Sequence, residues 1–204
     1  MGLFCLEESV SNNNYKFWKS IWDSKGNSES TDLLFLDGYE HLGADFSSKQ
    51  ITTQIIESLK IENNSSILEV ATGCGFLARE LNENYKFVGV DYSEPIINKH
   101  KILFNHEVYV CESNNLFFED DSFDYVFCYG LFQYLPNTIY AEQTLSEMHR
   151  ISKKGIFLGD LKNKKTRDTH FVFPKKNLID LKFTIIESEP SSDNADRYSA
   201  FRRF

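Results

Sequence analysis

The chain has 204 residues, with 22 Lys and Arg against 30 Asp and Glu, for a formal net charge of −8. That length fits one domain, since single cores serve up to roughly 250 residues. Hydrophobic residues at 41% and aromatics at 15% supply a core with two packed faces. The acidic balance argues against a general nucleic-acid binder, which presents a basic surface, and no apolar run approaches the roughly 18 residues of a membrane span. The opening Met1-Gly2-Leu3-Phe4-Cys5-Leu6 has neither the basic region nor the apolar stretch of a signal peptide, and Leu6 breaks the acylation pattern. A cytoplasmic location is therefore expected. Cys5, Cys74, Cys111 and Cys128 lack metal-ligand spacing, which points to reduced thiols and to no bound metal.

In chain order, residues 14–24 read as an aromatic-rich amphipathic helix ahead of the core, carrying Tyr15, Phe17, Trp18 and Trp22. Residues 26–31 form a polar turn, and 47–59 a helix capped by Ser47 or Ser48. Strands are predicted at 67–71, 86–91, 108–111, 123–128 and 155–160. Helices fall near 76–83, at 93–103, where Ser93 caps and Pro95 sits in the first turn, and at 140–151. Strands alternating with helices mark a parallel sheet. The last two runs, 183–188 and 197–204, are strand-like with no helix between them. The reading is a single domain over 1–204, with 1–60 a helical cap or lid and 61–204 the ligand-binding core.

The most informative run is Ile67-Leu68-Glu69-Val70-Ala71-Thr72-Gly73-Cys74-Gly75-Phe76, followed by Val88-Gly89-Val90-Asp91. An apolar strand enters a glycine-bearing turn, and a second strand ends on a carboxylate. Glycines let backbone approach a ligand where N–H groups of the next helix point. A carboxylate ending the second strand is placed to accept ribose hydroxyls. Gly73-Cys74-Gly75-Phe76-Leu77-Ala78 also satisfies the G-x-G-x-x-A fingerprint of nicotinamide dinucleotide sites. Glu69 separates the two cofactors: a carboxylate there repels a pyrophosphate, whereas S-adenosylmethionine has no phosphate and carries a sulfonium and an ammonium.

The pattern Glu69-x-Ala71-x-Gly73-x-Gly75 resembles motif I of the class I S-adenosylmethionine-dependent methyltransferases, with Ala71 where the family more often has its first glycine. The stretch Cys111-Glu112-Ser113-Asn114-Asn115-Leu116-Phe117-Phe118-Glu119-Asp120-Asp121-Ser122-Phe123-Asp124 is similar to the family's G-D-A-x-x-L-P-F-x-D-x-S-F-D, and the motifs keep family order over residues 67–161. The resemblance implies an α/β fold, a Rossmann-like seven-stranded mostly parallel sheet with helices on both faces and a C-terminal antiparallel strand pair. It implies S-adenosylmethionine as cofactor and S-adenosylhomocysteine as product. Asp91 would hold the ribose, Tyr92 pack on the adenine, and Glu112 and Ser113 contact its amino edge. Glu69, Ala71, Thr72, Gly73, Gly75 and Tyr129 complete the expected cofactor site.

Sequence says less about the acceptor. Residues 162–182 concentrate Lys162, Lys164, Lys165, Arg167, Lys175, Lys176 and Lys182 against Asp168 and Asp180. Such a cluster favours a phosphate or carboxylate, so Tyr134, Lys162, Lys165 and Arg167 are the expected substrate contacts. An alcohol acceptor needs a general base, for which His41, His170 and Tyr39 are the candidates; His100, His106 and His149 read as structural. The loop Cys128-Tyr129-Gly130-Leu131 lacks the N-P-P-Y or D-P-P-Y signature of amino-methylating nucleic-acid enzymes. The expectation is O-methylation of a small anionic or sugar-type metabolite, as in bacterial sugar and capsule methyltransferases, with a phosphate or phosphoramidate of a capsule precursor as one form. Neither nucleic acid nor membrane is expected as a partner, and monomer and homodimer both stay open. Two alternatives stand: a non-catalytic relative that binds the nucleoside ligand, and an NAD-dependent dehydrogenase.

Overall fold

In a computed structural model, residues 2–40, 47–81, 84–187 and 197–204 are described, with side chains from residue 13 onward. Their strands are β1 (Ser66–Val70), β2 (Lys86–Asp91), β3 (Glu107–Val110), β4 (Phe123–Tyr129), β5 (Ser152–Lys162), β6 (Thr184–Glu187) and β7 (Arg197–Arg203). They form one sheet in the order β3-β2-β1-β4-β5-β7-β6. The first five strands pair in parallel, and β7 pairs antiparallel with both β5 and β6. The expected Rossmann-like sheet with its closing antiparallel pair is the observed one.

The central strands are rich in β-branched and aromatic residues, which fit a sheet packed on both sides. Alternation divides them. Leu68, Val126 and Leu158 face Ala141, Leu145 and Met148 of helix α5 (Thr138–Ile151). Ile67, Phe127 and Phe157 face Ile51, Ile55 and Leu59 of helix α3 (Ser48–Leu59). Fully burying one such side chain is worth about 1.5–3 kcal/mol, so both faces contribute to stability. The chain leaves β1 toward β2 on one side, and β4 lies on the other. Ligands bind at such a reversal, outside the carboxyl ends of the strands.

The helices follow their caps. Ser47 accepts from the Gln50 N–H, Ser93 from Ile96 at the start of α4 (Glu94–Leu103), and Asn137 from Tyr140. Helix α1 spans Gly2–Gly26, well beyond the predicted 14–24, and packs along α4. Three elements escaped the sequence reading: α2 (Leu33–Leu36), a 3₁₀ turn at Phe132–Tyr134, and α6 (Lys175–Asp180) inside the basic segment. Runs of three to six residues are too short for a helical period to register.

The helix predicted at 76–83 is a correction. Only a 3₁₀ turn forms, Ala78–Glu80. The N–H of Phe76 is spent on the Asp37 carboxylate. Glu80 N–H and Leu81 N–H then reach the carbonyls of Leu77 and Ala78, three residues back, which tightens the coil. Among the described residues no helix is long and apolar enough to cross a membrane.

Candidate active site

At the carboxyl ends of β1, β2 and β4 lies a cleft that opens to solvent, the place where ligands bind in such sheets. Its described walls include Glu69, Ala71, Thr72 and Gly73 from the first strand and its turn, Asp91 and Tyr92 from the second, and Glu112 and Ser113 beyond the third. Tyr129, Gly130, Gln133 and Tyr134 close it from the fourth, and Tyr15, Trp22, Asp37 and Tyr39 from the N-terminal segment. The expected cofactor residues are thus brought to one cavity, Gly75 excepted. Gly75 sits behind the turn, where a Cβ would meet the Phe104 ring at 2.9 Å.

The glycine turn is held from three sides. Asp91 Oδ2 accepts the Gly73 N–H at 3.2 Å, and Oδ1 accepts the Ser93 N–H at 3.0 Å. His100 Nδ1 lies 2.9 Å from the Gly73 carbonyl, and its Nε2 lies 2.9 Å from His106 Nδ1. Since the carbonyl only accepts, Nδ1 of His100 donates to it and Nε2 accepts from His106. Burial lowers the His100 pKa to about 4, in keeping with a neutral ring. The structural role read for His100 becomes a specific one, fixing the turn from below.

The third hold comes from Asp37, which sequence reasoning passed over. Its Oδ1 accepts the Cys74 N–H at 2.6 Å and its Oδ2 the Phe76 N–H at 2.9 Å. A Cβ on Gly73 would lie 2.5 Å from Asp37 Oδ1. The glycine there admits a carboxylate of the chain itself, and the N–H groups that bind pyrophosphate in dinucleotide sites are already taken. Sequence reasoning selects the neighbours of Asp37, Tyr39 and His41, as candidate bases, and no local pattern ties residue 37 to residue 74.

Asp37, Asp91 and Glu69 are disturbed in one direction. Burial pushes Asp37 up to about 7 against the pull of its two N–H bonds, with Asp91 adding to the rise. Burial likewise lifts Asp91 to about 6, opposed by the N–H groups of Ser93 and Gly73. Glu69, buried and accepting from Thr72 Oγ1 at 2.8 Å, is raised well above the usual carboxylate range by burial. Glu112 accepts from Tyr140 Oη at 2.6 Å and also from Tyr15 Oη. A carboxylate has about four lone-pair positions, so Glu112 keeps capacity for a ligand donor. Ser113 Oγ pairs with Thr144 Oγ1 at 3.0 Å.

The acceptor candidates divide. Tyr39, Tyr129 and Tyr134 line the cavity. Burial first, and then the charge of Asp160, raises the pKa of all three phenols. They keep their protons near neutral pH, so Tyr39 does not meet the needs of a base there. Asp160 lies just behind, with φ of 58° at the end of β5, taking Gln133 Nε2 at 3.2 Å and an ion pair from Arg197. His41 lies outside the described residues. His170 lies apart: its ring stacks on Trp18 at 5.3 Å and packs on Tyr134, outside the described cavity lining, with its Nδ1 2.8 Å from Thr166 Oγ1. Burial and neighbouring Lys162 and Arg167 lower its pKa to about 4.

The basic residues expected to meet the substrate lie apart from the cavity. Lys165 and Arg167 are exposed, and Lys162 is buried with Nζ 3.1 Å from Thr166 Oγ1; none of them lines the cavity. No Lys, Arg or His occurs among the described lining residues. The reason is placement: the segment after β5 turns back over Trp18 and Tyr134, whose rings cover its inner side.

Residues 67–155 match the sequence profile of a family described as a methyltransferase domain. No significant match is found to a curated protein. The fold is similar to phosphoethanolamine N-methyltransferase 1 of Haemonchus contortus, solved with phosphoethanolamine and S-adenosylhomocysteine, at a TM-score of 0.70 and 16% identity. That match covers 95% of this chain and 49% of the other, so the chain spans about half the length of that enzyme. It is also similar to magnesium protoporphyrin IX methyltransferase of Synechocystis PCC 6803, solved with S-adenosylmethionine (TM-score 0.66, 12% identity, 93% of this chain and 96% of that one). A methyltransferase of Methanosarcina mazei gives 0.63 at 16% identity, over 73% and 96% of the two chains. The profile match covers residues 67–155, and the sheet has the fold of these methyltransferase structures.

Proposed function

We propose that this chain binds S-adenosylmethionine and transfers its methyl group to a small acceptor. The observation that carries the reading is the meeting of Glu69, Asp91 and Glu112 in one cavity whose described lining holds no cation. Four carboxylates with Asp37, facing tyrosine and tryptophan rings, suit a sulfonium and an ammonium and oppose a pyrophosphate. Asp37 on the turn N–H groups argues against the NAD alternative in the same way.

When bound, the cofactor supplies a methyl group already activated on a positive sulfur. The chain then has to bind, align and exclude water. In this reading Asp91 accepts the ribose hydroxyls, Tyr92 packs on the adenine, and Glu112 and Ser113 offer their remaining acceptor positions to its amino edge. Tyr39, Tyr129, Gly130, Gln133 and Tyr134 are left to receive the acceptor. That end offers phenol hydroxyls, ring faces and an amide, so we read the reacting group as neutral or cationic, an alcohol or an amine. The anionic acceptor suggested by the basic segment would have to place its charge outside the described lining.

Calorimetric titration with S-adenosylhomocysteine and, in parallel, NADH tests the cofactor. Binding of the first alone, weakened in Asp91→Ala, supports the reading; binding of NADH alone overturns it. Retained binding of the first with no methyl transfer across alcohol and amine panels would favour a non-catalytic relative.

A further inference from the structure

The N–H groups of Cys74 and Phe76 point where an anion would bind, and the chain supplies that anion itself through Asp37 at the end of α2. Each Asp37 oxygen accepts one of these bonds, leaving a further lone pair on each. Asp37 also lines the cavity, as do Glu69 and Asp91, and each of those two carboxylates is close enough to act electrostatically on it. Lys25 acts on it electrostatically, but its Nζ is engaged by the Phe35 carbonyl at 2.6 Å and by Glu40 at 3.2 Å.

We propose that Asp37 converts the glycine turn from an anion site into a cation site and, together with Glu69, receives the ammonium group of the cofactor's amino-acid arm. This rests on the methyl-transfer reading and adds a recognition residue from outside the sequence motifs. The N–H groups of Cys74 and Phe76 are taken by Asp37, that of Gly73 by Asp91 and that of Gly75 by the Thr72 carbonyl, so the arm's carboxylate finds no donor there and meets like charge. Its ammonium meets two acceptors, Asp37 and Glu69. Glu69 retains room because its described bond, from Thr72, uses one oxygen. Recognition of this kind also ties the N-terminal segment to the ligand: Asp37 holds its place only while residues 33–38 lie against the turn.

The test uses adenosine analogues on the intact chain. One carries an aminopropylthio arm, keeping the ammonium alone, and another a carboxypropylthio arm, keeping the carboxylate alone. In the wild type the ammonium analogue is expected to bind about tenfold more tightly or better. In Asp37→Asn that preference shrinks toward equality and S-adenosylhomocysteine weakens by about tenfold. Methylthioadenosine, which lacks the arm, keeps its affinity in the variant. Equal binding of the two analogues by the wild type overturns the proposal, and so does parallel loss of S-adenosylhomocysteine and methylthioadenosine in Asp37→Asn, which would make Asp37 a purely structural latch. Should Asp37→Asn fail to fold, the wild-type comparison still decides. If none of the adenosine ligands binds the wild type, the methyl-transfer reading itself falls, and this proposal with it.

Discussion

The hydroxyl of Tyr15, on the N-terminal helix, donates to the carboxylate of Glu112 beyond β3, so the helix covering the cavity is bonded directly to its far wall. The same carboxylate takes Tyr140 from α5. Burial and the Glu112 charge hold the Tyr15 proton far above its ordinary pKa. Hydrogen bonds to charged groups contribute about 1.5–3 kcal/mol, so Tyr15→Phe is expected to lower stability within or just under that range. Faster amide hydrogen exchange confined to residues 13–26 would locate the loss in the docking of the helix. Unchanged exchange there would show that Tyr15 does not hold it.

Gly73→Ala is expected to be far worse than the usual cost of leaving glycine. Gly73 has φ of +57°, and an added Cβ would stand 2.5 Å from Asp37 Oδ1. The left-handed backbone alone costs about 1–2 kcal/mol; the clash adds the displacement of Asp37. In an Asp37→Ala background only the backbone part remains. A double-mutant cycle by urea denaturation should therefore give a non-additive term of at least about 1 kcal/mol, and additive losses would contradict the contact.

Asp37 makes stability depend on pH with a definite sign. Its pKa is about 7 in the fold against an ordinary 3.8. Between those values the folded chain binds a proton that the unfolded chain has released, so stability is fully present below about pH 4 and is lost as pH rises toward 7. The slope for one such group approaches about 1.4 kcal/mol per pH unit. Asp91, raised to about 6, acts in the same direction over a narrower window. Denaturation midpoints between about pH 6 and pH 8 should fall in the wild type and fall less in Asp37→Asn. A flat wild-type profile would be inconsistent with a carboxyl raised by burial at Asp37.

Asp160 and Arg197 join the ends of β5 and β7 by a buried ion pair. Removing one partner of such a pair costs about 3–5 kcal/mol, because a buried charge loses its counterion. Arg197→Met should show a loss of that size by denaturant unfolding, and Asp160→Asn with Arg197→Met together a smaller one than the two summed.

The exposed basic residues make the opposite prediction. Lys165→Ala and Arg167→Ala should leave both S-adenosylhomocysteine binding and the KM for any acceptor found within about twofold, since neither lines the cavity. A rise in KM of about tenfold with kcat unchanged would restore the anionic acceptor.

The sequence by itself determined the sheet and the residues that line the cavity at its strand ends. Strand alternation, the glycine turn after Val70 and the carboxylate at Asp91 are local patterns, set by backbone geometry and by neighbours a few positions apart. Glu69, Asp91 and Glu112 could be picked out because each stands within two residues of the end of its own strand, and parallel strands deliver such positions to one edge. Tertiary structure alone decided what meets them. Asp37 reaches Cys74 across 37 residues, Tyr15 reaches Glu112 across 97, and His170 turns to Trp18 while Arg197 turns to Asp160. These contacts depend on how α1, α2 and the segment after β5 pack over the strand ends. Packing of that kind follows from burying apolar surface, which has no direction along the chain, and so leaves no periodic mark in the residues that it brings together.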